Sequence, residues 1–247
     1  RGYNRPVQKV DADDYLIIGF SRSWLERLTK TSRHKQMQIP LSFSLPEWNK
    51  FLIAEAEDLK LRERWLIQKP VNQPVVVFIL GTLGVLQIMR EEGSMVECLR
   101  DSIRAIQAVS PEAQILLKPH VITNSKLLTE IMKEFENANI DITHLHPGLI
   151  GKFADVVICN AYSTAMADAY VGGAVTIEYT DYTGEMLANT GGSTVEPRFI
   201  DHFINRDFDK LSRVLTQAFM TRKSSQERRH LRSPDIRVFT QFVERLN

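Results

Sequence analysis

The sequence predicts an α/β chain: a parallel sheet with helices on both faces, preceded by the remnant of a second α/β unit. Two observations carry this. Short apolar runs of strand length recur at 75–80 and 156–159, and again at 174–177 with Thr176 as its one polar residue, which suits strands buried on both faces. Between such runs lie longer stretches with helical spacing, at 94–109 and 125–137, so strands and helices alternate. Crossovers of that kind are right-handed and bring every strand's carboxyl end to one edge of the sheet, where ligands bind.

Taken in order, residues 14–20 read as a short strand and 21–28 as a helix with Ser21 as N-cap. Residues 36–41 alternate weakly and read as a strand, and 41–46 form a turn-rich connector. Residues 47–68 look helical, with Trp48, Phe51, Leu52, Leu59 and Trp65 available for an apolar face. The run from Lys69 to Pro74 holds two prolines and breaks the pattern, so a boundary is placed there. Three parts follow: 1–70, the end of an amino-terminal unit and its linker helix; 71–223, the main domain; and 224–247, a carboxy-terminal helix read at 235–246.

Within the main domain, the strand at 75–80 delivers Gly81, Thr82, Leu83 and Gly84. The helix at 94–109 sets Val96, Leu99, Ile103 and Ile106 on one face and ends at Ser110-Pro111. A strand at 114–118 stops at Pro119-His120. A helix at 125–137 and a strand at 140–146 follow, then Pro147-Gly148 and a short turn to Lys152. The strand at 156–159 leads through Asn160 and Ser163 into a helix at 164–170, which Gly172-Gly173 stops. The strand at 174–177 ends before Glu178. A last helix of this domain is read at 207–221.

Composition removes several classes. Hydrophobic residues make 43% of the 247 and charged residues 25%, an ordinary globular balance. A net charge of +1 gives no general case for nucleic acid binding. No apolar run is long enough to span a membrane and no signal peptide is apparent. The two cysteines, Cys98 and Cys159, sit in apolar stretches without metal spacing, which suits a reducing cytoplasm. The chain opens on Arg1 rather than methionine, so a longer parent protein is expected.

The carboxyl ends of the strands collect a candidate site. They deliver Gly81, Thr82 and Gly84; Lys118, Pro119 and His120; His146, Pro147 and Gly148; Asn160, Tyr162, Ser163 and Thr164; and Glu178, Tyr179 and Asp181. Hydroxyls opening a helix after a buried strand make an anion site, because the first N–H groups of a helix are unpaired and the dipole is positive there. A carboxylate one strand later can hold a ribose hydroxyl. Each piece has a plainer reading. Ser163 can simply N-cap its helix. Gly81 to Gly84 is neither a dinucleotide fingerprint nor a P-loop and reads alone as a tight turn. His120 can cap a helix, and Glu178 can be an ordinary edge residue. A metal held by His120, His144 and His146 lacks a carboxylate at matching spacing.

Together, Lys118-Pro119-His120 after one strand, Asn160 to Ala165 with its helix, and Gly172 to Tyr179 resemble the carboxy-terminal, donor-binding half of GT-B glycosyltransferases. The likeness is to bacterial surface and capsular polysaccharide enzymes that use CMP-sugars or make CDP-glycerol polymers. The resemblance covers about 75–215, and 14–46 is similar to the strand and crossover that close the other half. It implies a Rossmann-like domain and a nucleotide sugar as substrate, linked through CMP, CDP or UDP. No separate cofactor and no metal are called for.

It also implies a saccharide or lipid-linked saccharide acceptor, no nucleic acid partner, and a cytoplasmic setting that extends to the inner face of the membrane. His120 would act in catalysis by stabilising the departing phosphate, with Ser163 and Thr164. Lys118 would add charge, Glu178 would hold the ribose, and Gly81, Thr82, Asn160 and Tyr162 would line the nucleotide. The chain departs from the family by having proline before His120 and none after it, while His146-Pro147 follows a different strand. The alternatives are an enzyme like the nucleotide-sugar 2-epimerases, or a nucleotide-binding domain without catalysis.

Overall fold

The computed structural model of the chain describes residues 17–19, 36–38, 73–81, 83–84, 88–91, 93–195 and 197–221. Two short strands come first, β1 (Ile17–Gly19) and β2 (Gln36–Gln38), paired in parallel. Both fall inside strands expected from the sequence. The helices expected at 21–28, 47–68 and 235–246 lie outside the described residues, as do the boundaries drawn near 70 and 224.

The main domain then runs β3 (Val75–Ile79), α1 (Ser94–Val109), β4 (Gln114–Lys118), α2 (Ser125–Glu134), β5 (Ile140–Ile142), α3 (Pro147–Phe153) and β6 (Val156–Cys159). It continues through α4 (Ala165–Gly172), β7 (Val175–Thr180), α5 (Gly184–Asn189), a 3-10 turn (Pro197–Phe199), β8 (His202–Asn205) and α6 (Phe208–Met220). Its six strands lie in the order β5-β4-β3-β6-β7-β8, and every pairing is parallel. Counted from β3, that is 3-2-1-4-5-6, the Rossmann order. The chain reverses direction across the sheet between β3 and β6, which is the switch point where such folds bind ligands.

The apolar run of β3 explains its central place. All five residues are buried, and alternation sends them to two cores. Val76 and Phe78 join Leu99 and Ile106 of α1, Ile131 of α2 and Leu215 of α6. Val75, Val77 and Ile79 join Leu149 of α3 and Met166 of α4. Helices therefore cover both faces. At the amino ends, Asp155 accepts from the Val75 N–H at 2.8 Å and its own N–H donates to the Val75 carbonyl at 2.9 Å, which fastens β3 to β6. None of the described helices is long and apolar enough to cross a membrane.

Several expectations need correcting. The turn after His146 is a helix, because His146 Nδ1 accepts from the Gly148 N–H at 3.1 Å and Pro147 suits the first helical position. β5 stops at Ile142, so His144 and His146 lie beyond the strand. α2 ends at Glu134 rather than 137. β7 continues to Thr180 instead of ending at Ile177. The short elements α5 and β8 were not expected at all.

α3 and α4 pack closely through a glycine. A Cβ on Gly151 would stand 2.4 Å from the Ala169 carbonyl oxygen and 2.9 Å from the Cα atoms of Ala169 and Gly172. Those are backbone atoms, so no side chain can turn aside to make room. We predict that Gly151→Ala pushes α4 off its seat and lowers unfolding stability by roughly 1–3 kcal/mol, as overpacking does. Urea denaturation checks this, and an unchanged midpoint would show that the two helices separate freely.

Candidate functional site

Register decides which side chains meet at the switch point. Ile79 is the partner of Lys118 on one side and of Cys159 on the other. Two residues further on, Gly81, His120 and Ala161 leave the sheet at one level. β4 and β6 stand two strand spacings apart, about 10 Å. His120 and the start of α4 are therefore on the same edge, with β3 between them.

His120 is exposed but fixed at its base. Its N–H donates to Thr123 Oγ1 at 2.8 Å, and that hydroxyl donates to the Gly81 carbonyl at 2.7 Å. The turn after β4 is thus tied to the end of β3. The Ile122 N–H donates to His120 Nδ1 at 3.3 Å, so the neutral ring carries its proton on Nε2. Lys118 closes β4 half-buried, and burial lowers its pKa. Thr82 lies outside the described residues.

The start of α4 differs from four of the other five described helix starts; the remaining one, α1, opens on Gly93, which has no side chain to cap with. Asn124, His146, Thr183 and Asp207 each accept from an N–H of the helix that they open. Thr164, at the corresponding position of α4, has helical angles (φ −59, ψ −25) and makes no side-chain cap. Ser163 and Thr164 offer their carbonyls instead, to the N–H groups of Met166 and Ala167 at 3.0 and 3.2 Å. Among the described residues neither hydroxyl is engaged. The reading of Ser163 as a plain cap therefore fails. The helix start leaves the N–H groups of Thr164 and Ala165 without a partner among the described residues, beside two alcohol groups.

The loop before α4 is held from behind. Asn160 is buried, and its Nδ2 donates to the Tyr179 carbonyl at 3.1 Å. Its Oδ1 is buried without a partner among the described residues. The Tyr162 N–H donates to the Tyr182 hydroxyl at 2.9 Å. The Ser163 N–H interacts with the Cys159 thiol, whose pKa burial raises well above normal.

Glu178 stands within its strand rather than after it. It lies inside β7, paired with Cys159 and Phe203, and is 0% exposed. A carboxyl so placed is shut off from solvent. Thr194 Oγ1 donates to its Oε2 at 2.5 Å, and the Tyr182 hydroxyl interacts with it. Burial raises its pKa, and these two partners offset only part of that rise. The sequence shows a carboxylate after an apolar run, but the partners that let it stay inside are 4 and 16 residues away.

Asp181, which the sequence delivers to the same edge without a role, fastens the frame behind the site. It is buried, and its Oδ2 accepts from Ser94 Oγ and from Arg206 Nη1, both at 2.9 Å. Arg90 Nε lies 3.4 Å from its Oδ1, and the Arg90 N–H donates to its carbonyl at 2.8 Å. Met89 forms an antiparallel bridge with Tyr182. The β3–α1 connection thus begins beside His120 and is fastened again at β7, on the far side of β6. No group of three or more His, Cys, Asp or Glu among the described residues is placed to hold a metal ion.

No family model matches the sequence, and no curated protein matches it. Among solved structures, Arabidopsis thaliana UGT89C1 complexed with UDP is similar over 89% of this chain and 53% of its own, with 16% identity and a TM-score of 0.46. Spinosyn forosaminyltransferase SpnP is similar over 94% and 54%, with 17% identity and a TM-score of 0.42. Spinosyn rhamnosyltransferase SpnG is similar over 74% and 47%, with 14% identity and a TM-score of 0.39. The chain spans about half the length of these structures. At such identities and scores the fold assignment rests on the strand order above.

The buried acid sets a pH dependence whose sign is fixed. The folded state binds the Glu178 proton more tightly than the unfolded chain does. Its contribution to stability is complete below the ordinary carboxylate pKa of about 4.3 and is lost as pH rises through the raised folded value. Glu178→Gln removes that titration and still accepts from Thr194. We predict that wild type loses stability relative to Glu178→Gln as pH rises from acid toward neutral. Parallel urea midpoints over that range test it, and a constant difference would mean that Glu178 keeps an ordinary pKa.

Proposed function

We propose that this chain is the donor-binding half of a GT-B glycosyltransferase of surface polysaccharide synthesis. Its substrate is a sugar linked to CMP, CDP or UDP, and its acceptor a saccharide or lipid-linked saccharide at the cytoplasmic side of a membrane. The observation that carries the reading is the start of α4. An uncapped helix with two unengaged hydroxyls opens at the switch point, two strands from an exposed histidine.

In this reading the phosphate of the donor sits on the Thr164 N–H and on the hydroxyls of Ser163 and Thr164. Cleavage of the glycosidic bond leaves negative charge on that phosphate. Preorganised donors aimed at developing charge are worth far more in a partly dry site than in water. His120 supplies an Nε2–H, and Lys118 supplies positive charge from the same strand end. These groups do the work that a metal would otherwise do. The base that deprotonates the acceptor hydroxyl comes from outside the described residues. An epimerase needs acid and base groups in the cleft, and the burial of Glu178 removes one that it would use.

Calorimetric titration of the whole chain with CMP, CDP and UDP tests the proposal. Ser163→Ala with Thr164→Ala should cost tenfold or more in affinity for the best ligand, because hydrogen bonds to a charged group contribute about 1.5–3 kcal/mol each. Unfolding stability should shift by less than about 0.5 kcal/mol, since no cap is lost. Unaltered affinity in the double variant would refute the phosphate site. Release of free nucleotide from a panel of nucleotide sugars then separates transfer from epimerisation, which leaves the nucleotide attached.

A further inference from the structure

Tyr182 follows β7 and is fully buried, so it touches no ligand at the open edge. Its hydroxyl nevertheless accepts from the Tyr162 N–H at 2.9 Å, one residue before Ser163. The rest of Tyr182 is immobilised. Its N–H donates to Asn205 Oδ1 at 2.7 Å, and its ring stacks on Phe203 with centroids 6.1 Å apart. Met89 and Met95 pack around it. The hydroxyl proton is available to Glu178, whose carboxyl Thr194 holds in place. The hydroxyl is therefore constrained as acceptor, with the Glu178 carboxyl beside it.

We infer that Tyr182 is a positioning residue of the phosphate site, holding the Tyr162 peptide so that the start of α4 is preorganised for an anion. The inference rests on the phosphate-binding reading above. Peptide groups are planar, so with the Ala161–Tyr162 peptide fixed only the φ and ψ of Tyr162 remain free between that anchor and the Ser163 N–H. Without that anchor the loop must be ordered by the ligand, and the ordering cost is taken from affinity. β7 and β8 provide the support, and β6 presents the site.

Tyr182→Phe keeps the ring, the stacking and the backbone bond, and removes only the hydroxyl. Affinity for the best-bound of CMP, CDP and UDP should fall roughly three- to tenfold, as for one lost buried hydrogen bond. Affinity for the matching nucleoside, which has no phosphate, should stay unchanged, whereas a general structural defect would weaken both alike. If Tyr182→Phe binds nucleotide like wild type while the Ser163/Thr164 double variant is impaired, the positioning role is wrong and the phosphate site stands. If the double variant also binds like wild type, both readings fall. Equal weakening of nucleotide and nucleoside by Tyr182→Phe likewise overturns the positioning role. Amide hydrogen exchange on the wild type gives a check that needs no variant. The Tyr162 N–H should be protected, and exchange at the rate of an open loop would overturn the inference.

Discussion

The arrangement depends on β3 being buried on both faces and hydrogen-bonded along both edges. Such a strand has no free side on which to slip. A shift of one residue would carry Val76 and Phe78 into the opposite core and turn every side chain over. Asp155 pins one end of β3 through its carboxylate and its N–H. The other end is fixed through the Gly81 carbonyl and Thr123. With the register held, the exits of β4 and β6 are fixed relative to each other although 40 residues separate them in the chain. The site is a consequence of core packing before it is a matter of polar chemistry.

Polar chemistry then distinguishes one helix start from the rest. A cap satisfies the first N–H groups at little cost, and four helices of this domain take that solution. α1 begins on Gly93 in a left-handed conformation and engages the buried Asp181 through Ser94. α4 does neither, although serine and threonine stand where a cap would be made. Its seat against Gly151 keeps the helix in place without one. Leaving a helix start unsatisfied is tolerable at a wet edge, and it leaves the donors available to an anion.

How far this was legible in the sequence follows from where the information lies. β3, β4 and β6 coincide with apolar runs, since a strand buried on both faces must be apolar throughout. The amphipathic α1 is legible for the same reason. β8 is an edge strand with only Ile204 fully buried, and α5 buries no residue, so neither leaves a periodic signal. α3 was hidden by Pro147-Gly148, a pair that reads as a turn until His146 is seen capping it. β7 was cut short at Glu178 because a carboxylate normally marks a strand's end, and its partners Thr194 and Tyr182 lie further along the chain. Local pattern shows which residues are buried apolar. It does not show which polar residue has found partners inside.

That distinction accounts for the division within the candidate site. His120 after β4 and Thr164 after β6 are exposed, and sequence position alone is enough to nominate them. Residues at the ends of β7 and β8 face inward, where Asp181 binds Ser94 and Arg206 and Tyr182 binds Tyr162 and Asn205. Two consecutive side chains after β7 thus fasten α1, the loop before α4 and the end of β8. A carboxylate in that position loses its hydration, so it persists only because arginine and hydroxyl donors replace water. The same exchange lets Glu178 remain within the sheet. Acidic residues near a phosphate would repel it if they faced the ligand. Turned inward and bonded to their neighbours, they hold the frame, while the outward edge keeps its hydroxyls, amides and histidine for an anion.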